Sequence, residues 1–364
     1  MSAEKTNANE IFLSSSPHFT KGLSTQKIMA MVLFAMLPEC IYGVVIFGIR
    51  ALVTILVSVA SCVLFEFLFQ KITKKQVVIS NLSAAVTGVL LALVLPSTIP
   101  VWMVIIGDFV AIVIAKGLFG GIGSNVFNPA LTGRAFMVMS FTSVMGASWF
   151  DPNSLVNKWS YALTGAGNVD AISSATLLSQ IKSGAAVMDS STLWQYFLGN
   201  RAGCIGETSI ALILVSFLFL LVCHIIDWRA PVAMVVTVAA GTFISSLAGG
   251  ADVAGAGYDV LVAMVTGGLL FGATFMVTDY ATTPVTKPGR LAFGFGCGLI
   301  TFLIRRFGGY PEGVMFSILI MNSVAPFLNN LTSKKYGYGK KALSHADTAK
   351  INSEYGLESK EAAK

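Results

Sequence analysis

Residues 28–47 read IMAMVLFAMLPECIYGVVIF, and this stretch decides the class of fold. Its 20 residues include one side chain that is charged at neutral pH, Glu39. A helix of about 20 residues is roughly 30 Å long, which matches the hydrocarbon core of a bilayer. The residues before it are polar and lack the short apolar core of a cleaved signal peptide. The stretch is therefore predicted to be a membrane-spanning helix that stays in the mature chain.

The composition extends this interpretation to the whole chain. Of its 364 residues 55% are hydrophobic and 12% are charged, and the mean hydropathy is +0.75. A soluble domain is about 25% charged, and no barrel-like alternation is visible, so the spans are expected to be helices. We predict an all-α integral membrane protein with about ten transmembrane helices. Their apolar cores are residues 28–47, 52–69, 84–95, 101–115, 130–145, 210–226, 232–247, 260–277, 291–304 and 314–328.

The order of the apolar cores predicts two inverted five-helix halves, because an odd number of spans turns the second half over relative to the first. Most of the 24 basic residues then fall on one side, which the positive-inside rule makes cytoplasmic. The count places Lys116 and Arg134 on that side, and Arg201 and Arg305 on the other. The net charge of +6 thus reflects membrane topology and not nucleic-acid binding.

This topology divides the chain into five parts and predicts a bacterial or archaeal cytoplasmic membrane protein with both termini inside. The parts are a cytoplasmic N-terminal segment (1–25), a first membrane half (26–148), an extracytoplasmic loop (149–207), a second membrane half (208–332) and a basic cytoplasmic tail (333–364).

Three stretches rich in small or helix-breaking residues interrupt the apolar pattern. Residues 117–134 and 278–290 are read as cytoplasmic turns, or else as half-broken segments that line a cofactor or ion pocket. Residues 294–298 (GFGCG) superficially resemble a nucleotide loop but follow no strand, so they are expected to allow close helix packing.

Two carboxylates lie well inside predicted spans, where ionisable groups are costly and functional by default. Glu39 and Asp108 are therefore candidates for an ion path. Alternatively, Glu39 caps backbone groups freed by Pro38, and Asp108 pairs with a basic residue. Glu66 and Asp279 lie nearer the span ends and are expected to be solvated.

The cysteines and histidines predict no metal centre within this chain. Its five cysteines form no C-x-x-C motif, so an iron–sulfur cluster held by this chain alone is not expected. The alternative is a cluster that uses one or two of these thiols together with ligands from a partner protein. The isolated histidines are given no metal role; they are His18, His224 and His345.

The long loop contains Asp170, followed three residues later by Ser173, Ser174, Ala175 and Thr176. Small residues let such a segment enter the active site of a modifying enzyme, which would activate the Thr hydroxyl. Thr176 also precedes a short helical pattern, where an attached phosphate would meet free backbone N–H groups. The plainer alternative is a simple helix cap, which the short match alone favours.

Several further segments occur in a characteristic order: SSPH at 15–18, GVLLALVLP at 88–96, FNPA at 127–130, TDYATTPVTKPGR at 278–290 and RRFGGYPEG at 305–313. Together with residues 170–176, they resemble the D subunits of Rnf complexes, which are membrane-bound ferredoxin:NAD⁺ oxidoreductases coupled to ion transport. They are also similar to the B subunits of Na⁺-translocating NADH:quinone reductases. The short N-terminal extension favours the Rnf relative.

The resemblance implies that an extracytoplasmic flavin transferase attaches FMN to Thr176 through a phosphoester bond, although Ser174 stands where Gly is common. It also implies a second, non-covalent flavin, riboflavin, which is expected near the two interrupted stretches. The chain would relay electrons, and other membrane and peripheral subunits of the Rnf complex would bind NAD⁺ and ferredoxin. The alternatives are the quinone-reductase relative and a channel or transporter for a small solute.

Overall fold

A computed structural model describes residues 24–147, 149, 190–199, 201–308 and 312–332. Within these ranges every regular element is helical. In chain order the helices are α1 (Thr25–Phe47), α2 (Ile49–Ile72), α3 (Ser83–Leu93), α4 (Val101–Phe109), α5 (Pro129–Ser140), α6 (Thr142–Ala147), α7 (Ser190–Leu198), α8 (Ile210–Val222), α9 (Arg229–Ala248), α10 (Val253–Val265), α11 (Leu269–Phe271), α12 (Lys287–Phe307) and α13 (Val314–Thr332).

Each predicted apolar core contains helix, and the class of helical membrane protein is confirmed. Among the described residues, three helices are long and apolar enough to cross a membrane, namely α1, α2 and α9. A fourth candidate joins α10 to the segment Leu269–Met276 through a 63° bend. Helices α3 and α8 are apolar but shorter. The count of ten spans and the inversion of the halves remain predictions.

Both interrupted stretches form turns that lead into capped helices, and their cytoplasmic location remains a prediction. The backbone N–H of Leu131 donates to the Asn128 side chain at 3.2 Å, and Pro129 occupies the first turn of α5. The N–H of Gly289 donates to Thr286 Oγ1 at 3.2 Å at the start of α12. A side-chain acceptor before the first turn satisfies an N–H that has no partner inside the helix.

Close packing of α9 against α12 explains the glycine-rich segment 294–298. A Cβ atom on Gly298 would lie 2.6 Å from the carbonyl oxygen of Met234, and Gly294 lies against the carbonyl of Ala230. Small residues let two backbones approach this closely. The prediction that these residues allow close helix packing is confirmed.

Two helix pairs join the part of the chain before the long loop to the part after it. Helix α1 packs against α8, and α5 packs against α13. At the first interface Ser216 Oγ lies 2.7 Å from the carbonyl of Ala35 and 2.7 Å from Glu39 Oε1.

Helical geometry changes at three places in the interior. α4 continues as the π-helix Val110–Gly117, and α11 continues as the π-helix Gly272–Met276. Between α10 and α11 the chain bends at Gly267, whose φ of 69° suits a residue without a Cβ. Short π-helical segments are frequent at functional sites, so the surroundings of these segments are candidates for such a site.

Candidate functional site

The bend between α10 and α11 leaves backbone carbonyl groups without helical partners, and two arginines bind them, the buried Arg201 and the partly buried Arg305. The Arg201 guanidinium donates to the carbonyl of Val265. The Arg305 guanidinium donates to the carbonyls of Ala263, at 2.9 Å, and Thr266, at 3.3 Å. Non-helical backbone in a membrane protein is stable only when protein groups satisfy it in this way. The two arginines therefore act as side-chain caps for a broken helix.

Two carboxylates complete an arginine cluster, defined as Arg134, Arg201, Arg305, Glu207 and Glu312. Arg134 pairs with Glu207 at 3.4 Å and with Glu312 at 3.3 Å. Glu312 also accepts the backbone N–H of Gly268, on the far side of the bend. The formal charge of the cluster is positive by one, and its buried ion pairs tie together the starts of α8 and α13, the bend and α5.

The cluster corrects part of the predicted charge distribution. Arg134 was counted on the cytoplasmic side, and Arg201 and Arg305 on the other, yet the three lie in one cluster. The positive-inside rule concerns charges in loops, whereas Arg134 is only 8% exposed and ion-paired. The doublet Gly267-Gly268 is a sequence signal that could have indicated the break, but nothing in the sequence paired it with arginines from distant segments.

Asp108 lies in α4, two residues before the π-helix begins, and its side chain is fully buried. Its carboxylate contacts three donors on α2: Ser58 Oγ at 2.7 Å, Ser61 Oγ, and Cys62 Sγ at 3.3 Å. The ion pairs found among the described residues do not include Asp108. The alternative in which Asp108 pairs with a basic residue of this chain is therefore not supported by the described part of the structure.

Glu39 lies elsewhere, between α1 and α8, and is 2% exposed. Its Oε1 accepts from Ser216, while Oε2 has no hydrogen-bond partner among the described residues. The structure thus places the two candidate ion-path carboxylates in different helix interfaces, and it does not bring them together.

Glu66 is buried and not solvated, so the prediction for this residue is wrong. Lys116 Nζ lies 3.0 Å from both carboxylate oxygens of Glu66 and 2.7 Å from Ser83 Oγ. The partner comes from the end of the π-helix, 50 residues away in the chain, which is why local sequence did not reveal it. Asp279 is partly buried and accepts from Thr282 Oγ1 at 3.1 Å.

A cavity of about 220 Å³ lies beside the Glu66–Lys116 pair. Pockets that enclose a drug-sized ligand measure roughly 300–1,000 Å³, so this cavity does not fit the three rings of a flavin. Riboflavin is therefore not placed here, and the expectation of a second flavin remains a prediction. The cavity is lined by Glu66, Phe69, Gln70, Lys75, Gln76, Val78, Asn81, Ile112, Lys116, Gly117, Gly120, Gly121 and Ile122.

A second ionic contact joins the α8–α9 turn to α12. Asp227 Oδ2 lies 2.7 Å from Arg290 Nη1 and 2.8 Å from Arg229 Nη1. Partial burial acts to raise the pKa of Asp227, but hydrogen bonds from the Arg229 backbone, Arg290 and the Arg229 side chain outweigh it and lower the pKa. The contact therefore favours the charged carboxylate.

The predicted flavin segment lies outside the part of the chain that the structure describes. This holds for Asp170, Ser173, Ser174, Ala175 and Thr176 alike. Within the described ranges no group of three or more His, Cys, Asp or Glu side chains is arranged to hold a metal ion. The five cysteines are free thiols, and a cluster shared with a partner remains open.

Comparison with known proteins defines the class of this chain. The model of the NQR2, RnfD, RnfE family matches residues 12–337, so the chain belongs to that family. Among curated relatives it is 39% identical over 337 residues to the D subunit of the Na⁺-translocating ferredoxin:NAD⁺ oxidoreductase complex of Acetobacterium woodii, covering 92% of this chain and 98% of the relative. It is 39% identical over 345 residues to the D subunit of the proton-translocating complex of Clostridium ljungdahlii, covering 93% and 99%. It is 34% identical over 350 residues to the D subunit of an ion-translocating oxidoreductase complex of Vibrio cholerae, covering 90% and 99%.

Proposed function

We propose that this protein is the flavin-bearing D subunit of an ion-translocating ferredoxin:NAD⁺ oxidoreductase complex. It is a membrane subunit of an oxidoreductase, and other membrane and peripheral subunits of the Rnf complex are its partners. Its own contribution is electron transfer through FMN attached to Thr176 by an extracytoplasmic flavin transferase. The observation that carries the proposal is the family match over residues 12–337, together with the segment at 170–176 that it includes.

The residues of the loop segment fit covalent attachment by their chemistry. Thr176 supplies the hydroxyl that forms a phosphoester, and Ser173, Ser174 and Ala175 are small enough to pass through a transferase active site. The helical pattern that follows would hold the phosphate at its N-terminus. When attached, the flavin ring supplies the electron-transfer chemistry, and the protein positions it and tunes its potential.

The membrane part fits a scaffold of ten helices in two inverted halves. Pairing of α1 with α8 and of α5 with α13 supports this arrangement, because a two-fold axis between inverted repeats brings equivalent helices together. The loop with Thr176 would then lie on the extracytoplasmic side of the cytoplasmic membrane, where the transferase acts.

The proposal is tested on the full chain produced beside an active flavin transferase. Under denaturing electrophoresis the wild-type band is expected to fluoresce under ultraviolet light, and its intact mass should exceed the polypeptide mass by one FMN group. Thr176→Ala should lose both signals. Thr164→Ala, in the same loop, is the matched control and should keep them.

A wild-type band without fluorescence and without added mass would contradict the flavin assignment and favour a transporter for a small solute. The family also includes quinone-reductase subunits. The purified complex separates that alternative, because oxidation of reduced ferredoxin by NAD⁺ identifies an Rnf complex. Oxidation of NADH by a quinone identifies its relative.

A further inference from the structure

The carboxyl group of Asp108 is surrounded by groups that donate hydrogen bonds but carry no charge. Ser58, Ser61 and Cys62 contact it from α2. The elements packed against it are α2, α3, α5 and the π-helix Val110–Gly117. An ionised carboxylate buried without a cation is expensive, so this carboxyl requires a neutralising ion.

Three of the charged groups on those elements are ion-paired. The other two, Arg50 and Lys71, lie near the ends of α2, eight or more residues from Ser58 and Cys62. Glu66 of α2 and Lys116 of the π-helix pair with each other, two turns further along their helices. Arg134 of α5 pairs with Glu207 and Glu312. The described residues thus offer Asp108 no counter-charge, and the neutralising ion must come from water.

The small number of oxygens around the carboxylate favours a proton over a metal cation. Ser58 Oγ lies 2.7 Å from the carboxylate and 2.8 Å from the carbonyl of Gly88, which are hydrogen-bond distances. A Ca²⁺-sized cation takes about 6–8 oxygen ligands. The side chains that contact Asp108 among the described residues supply two hydroxyls and a thiol.

The serine hydroxyls can serve both protonation states of the carboxyl. Each hydroxyl has one hydrogen, yet Ser58 lies within reach of Gly88 and Asp108, and Ser61 reaches the carbonyl of Val57 at 2.8 Å as well as Asp108. When Asp108 is ionised, both hydroxyls turn toward it. When it is protonated, it donates to one hydroxyl oxygen, and the hydroxyls turn to the carbonyls. No polar atom loses its partner in either state.

A line of contacts joins this carboxyl to water. The cavity beside Glu66 and Lys116 has exposed Lys75 at its margin and reaches inward to Ile112. Ile112 packs with Ala84 and Cys62 in a small buried cluster. Cys62 in turn contacts Asp108. One thin apolar layer therefore separates the water-accessible cavity from the carboxyl.

We propose that Asp108 is a proton-binding carboxyl at the inner end of a half-channel that opens beside Lys75. The proton passes from cavity water to the carboxylate, which becomes a neutral acid, and it returns to water by the same route. Ile112 and Ala84 form the apolar barrier, and the Ser58 and Ser61 hydroxyls adjust to each state. This inference does not depend on the attached flavin.

The test is infrared difference spectroscopy on the purified full-length chain in lipid nanodiscs at neutral pH. The spectrum of wild type minus Asp108→Asn should show the carbonyl stretch of a protonated carboxylic acid, and the band should shift in D₂O. The matched control is Glu39→Gln, which keeps Asp108 and should therefore still show the acid band of that residue. A difference spectrum that shows the stretches of an ionised carboxylate in place of the acid band would overturn the proposal.

Sodium chloride and potassium chloride form the second arm of the test. The acid band should be the same in both salts. If sodium alone removes the band at constant pH, the site binds a sodium ion and the proton assignment is wrong. Should Asp108→Asn fail to fold, the Ser58→Ala/Ser61→Ala variant keeps the carboxyl, and its acid band must shift in frequency because a hydrogen bond has been lost. An unshifted band contradicts the described network.

The half-channel itself is tested by alkylation of Cys62, followed by peptide mass spectrometry. Ile112→Ala removes part of the barrier, so the alkylation rate should rise by at least about tenfold, because local opening becomes more frequent. Ile105→Ala, on an exposed face of α4, should leave the rate unchanged. Equal rates in the two variants would refute the route through Ile112.

Discussion

The ion pair between Glu66 and Lys116 offers a stability prediction whose size follows from its geometry. Lys116 Nζ lies 3.0 Å from both carboxylate oxygens, and both side chains are less than a tenth exposed. At 3 Å and an effective dielectric constant of about 20, the attraction is about 5–6 kcal/mol. Desolvation of the two ions offsets much of that attraction.

The perturbation is Lys116→Met, which leaves Glu66 buried without its partner. Breaking a buried pair in this way costs about 3–5 kcal/mol. For a large domain each kcal/mol corresponds to roughly 2–4 °C in Tm, so a decrease of about 6–20 °C is expected. The double variant Glu66→Gln/Lys116→Met removes both charges and should recover most of the loss, because replacing a buried pair with neutral groups is often nearly neutral.

The assay is thermal unfolding of the detergent-solubilised full chain. The measured quantity is the fraction of the protein that remains monodisperse after heating. Lys75→Met removes an exposed lysine at the margin of the same cavity and should change the Tm by no more than about 1–2 °C, since surface substitutions have small effects. The reasoning is refuted if the double variant is as unstable as Lys116→Met, because the loss would then reflect packing and not an unpaired carboxylate.

Two further predictions concern other contacts. The pKa of Asp227 is lowered in the folded chain, so its contact with Arg290 should add about 1 kcal/mol to the free energy of unfolding at pH values above about 3.9, the pKa of an unfolded aspartate. This contribution should vanish as the pH falls through the lower pKa that Asp227 has in the folded chain. Unfolding of wild type and Asp227→Asn from pH 7 to pH 3 checks this, and a constant difference would contradict it. Gly298→Ala should destabilise the chain by about 1–3 kcal/mol, because its Cβ would lie 2.6 Å from the Met234 carbonyl oxygen. Gly257→Ala, where a Cβ meets nothing within 4 Å, is the control, and equal thermal shifts would exclude the steric reason.

The sequence predicted those features that depend on local composition. Apolar runs located the helices, and small residues at 294–298 indicated a close helix contact that the structure confirms. Periodicity and composition were sufficient for these features because each depends on neighbouring residues. The break at Gly267-Gly268 was not predicted, since residues 260–277 were interpreted as one continuous apolar core.

The charged interior could not be predicted in the same way. Glu66 was expected to be solvated because its partner, Lys116, is 50 residues away. Arg134 and Arg305 belong to different halves, and nothing in either local sequence indicates that both contribute to one cluster. Partner choice for a buried charge depends on the packing of helices, which local sequence does not specify. The flavin segment was recognised by resemblance alone, and it remains a prediction.

The bend between α10 and α11 also bears on how the chain matures in the membrane. Its exposed carbonyls bind Arg305, which lies some 40 residues further along the polypeptide. A ribosome that has just delivered the bent segment has not yet delivered the side chain that completes its hydrogen bonding. Since unsatisfied backbone groups are costly in lipid, the segment reaches its final shape only after α12 has been inserted. The C-terminal half is therefore expected to mature as one unit, late in biosynthesis, and not helix by helix.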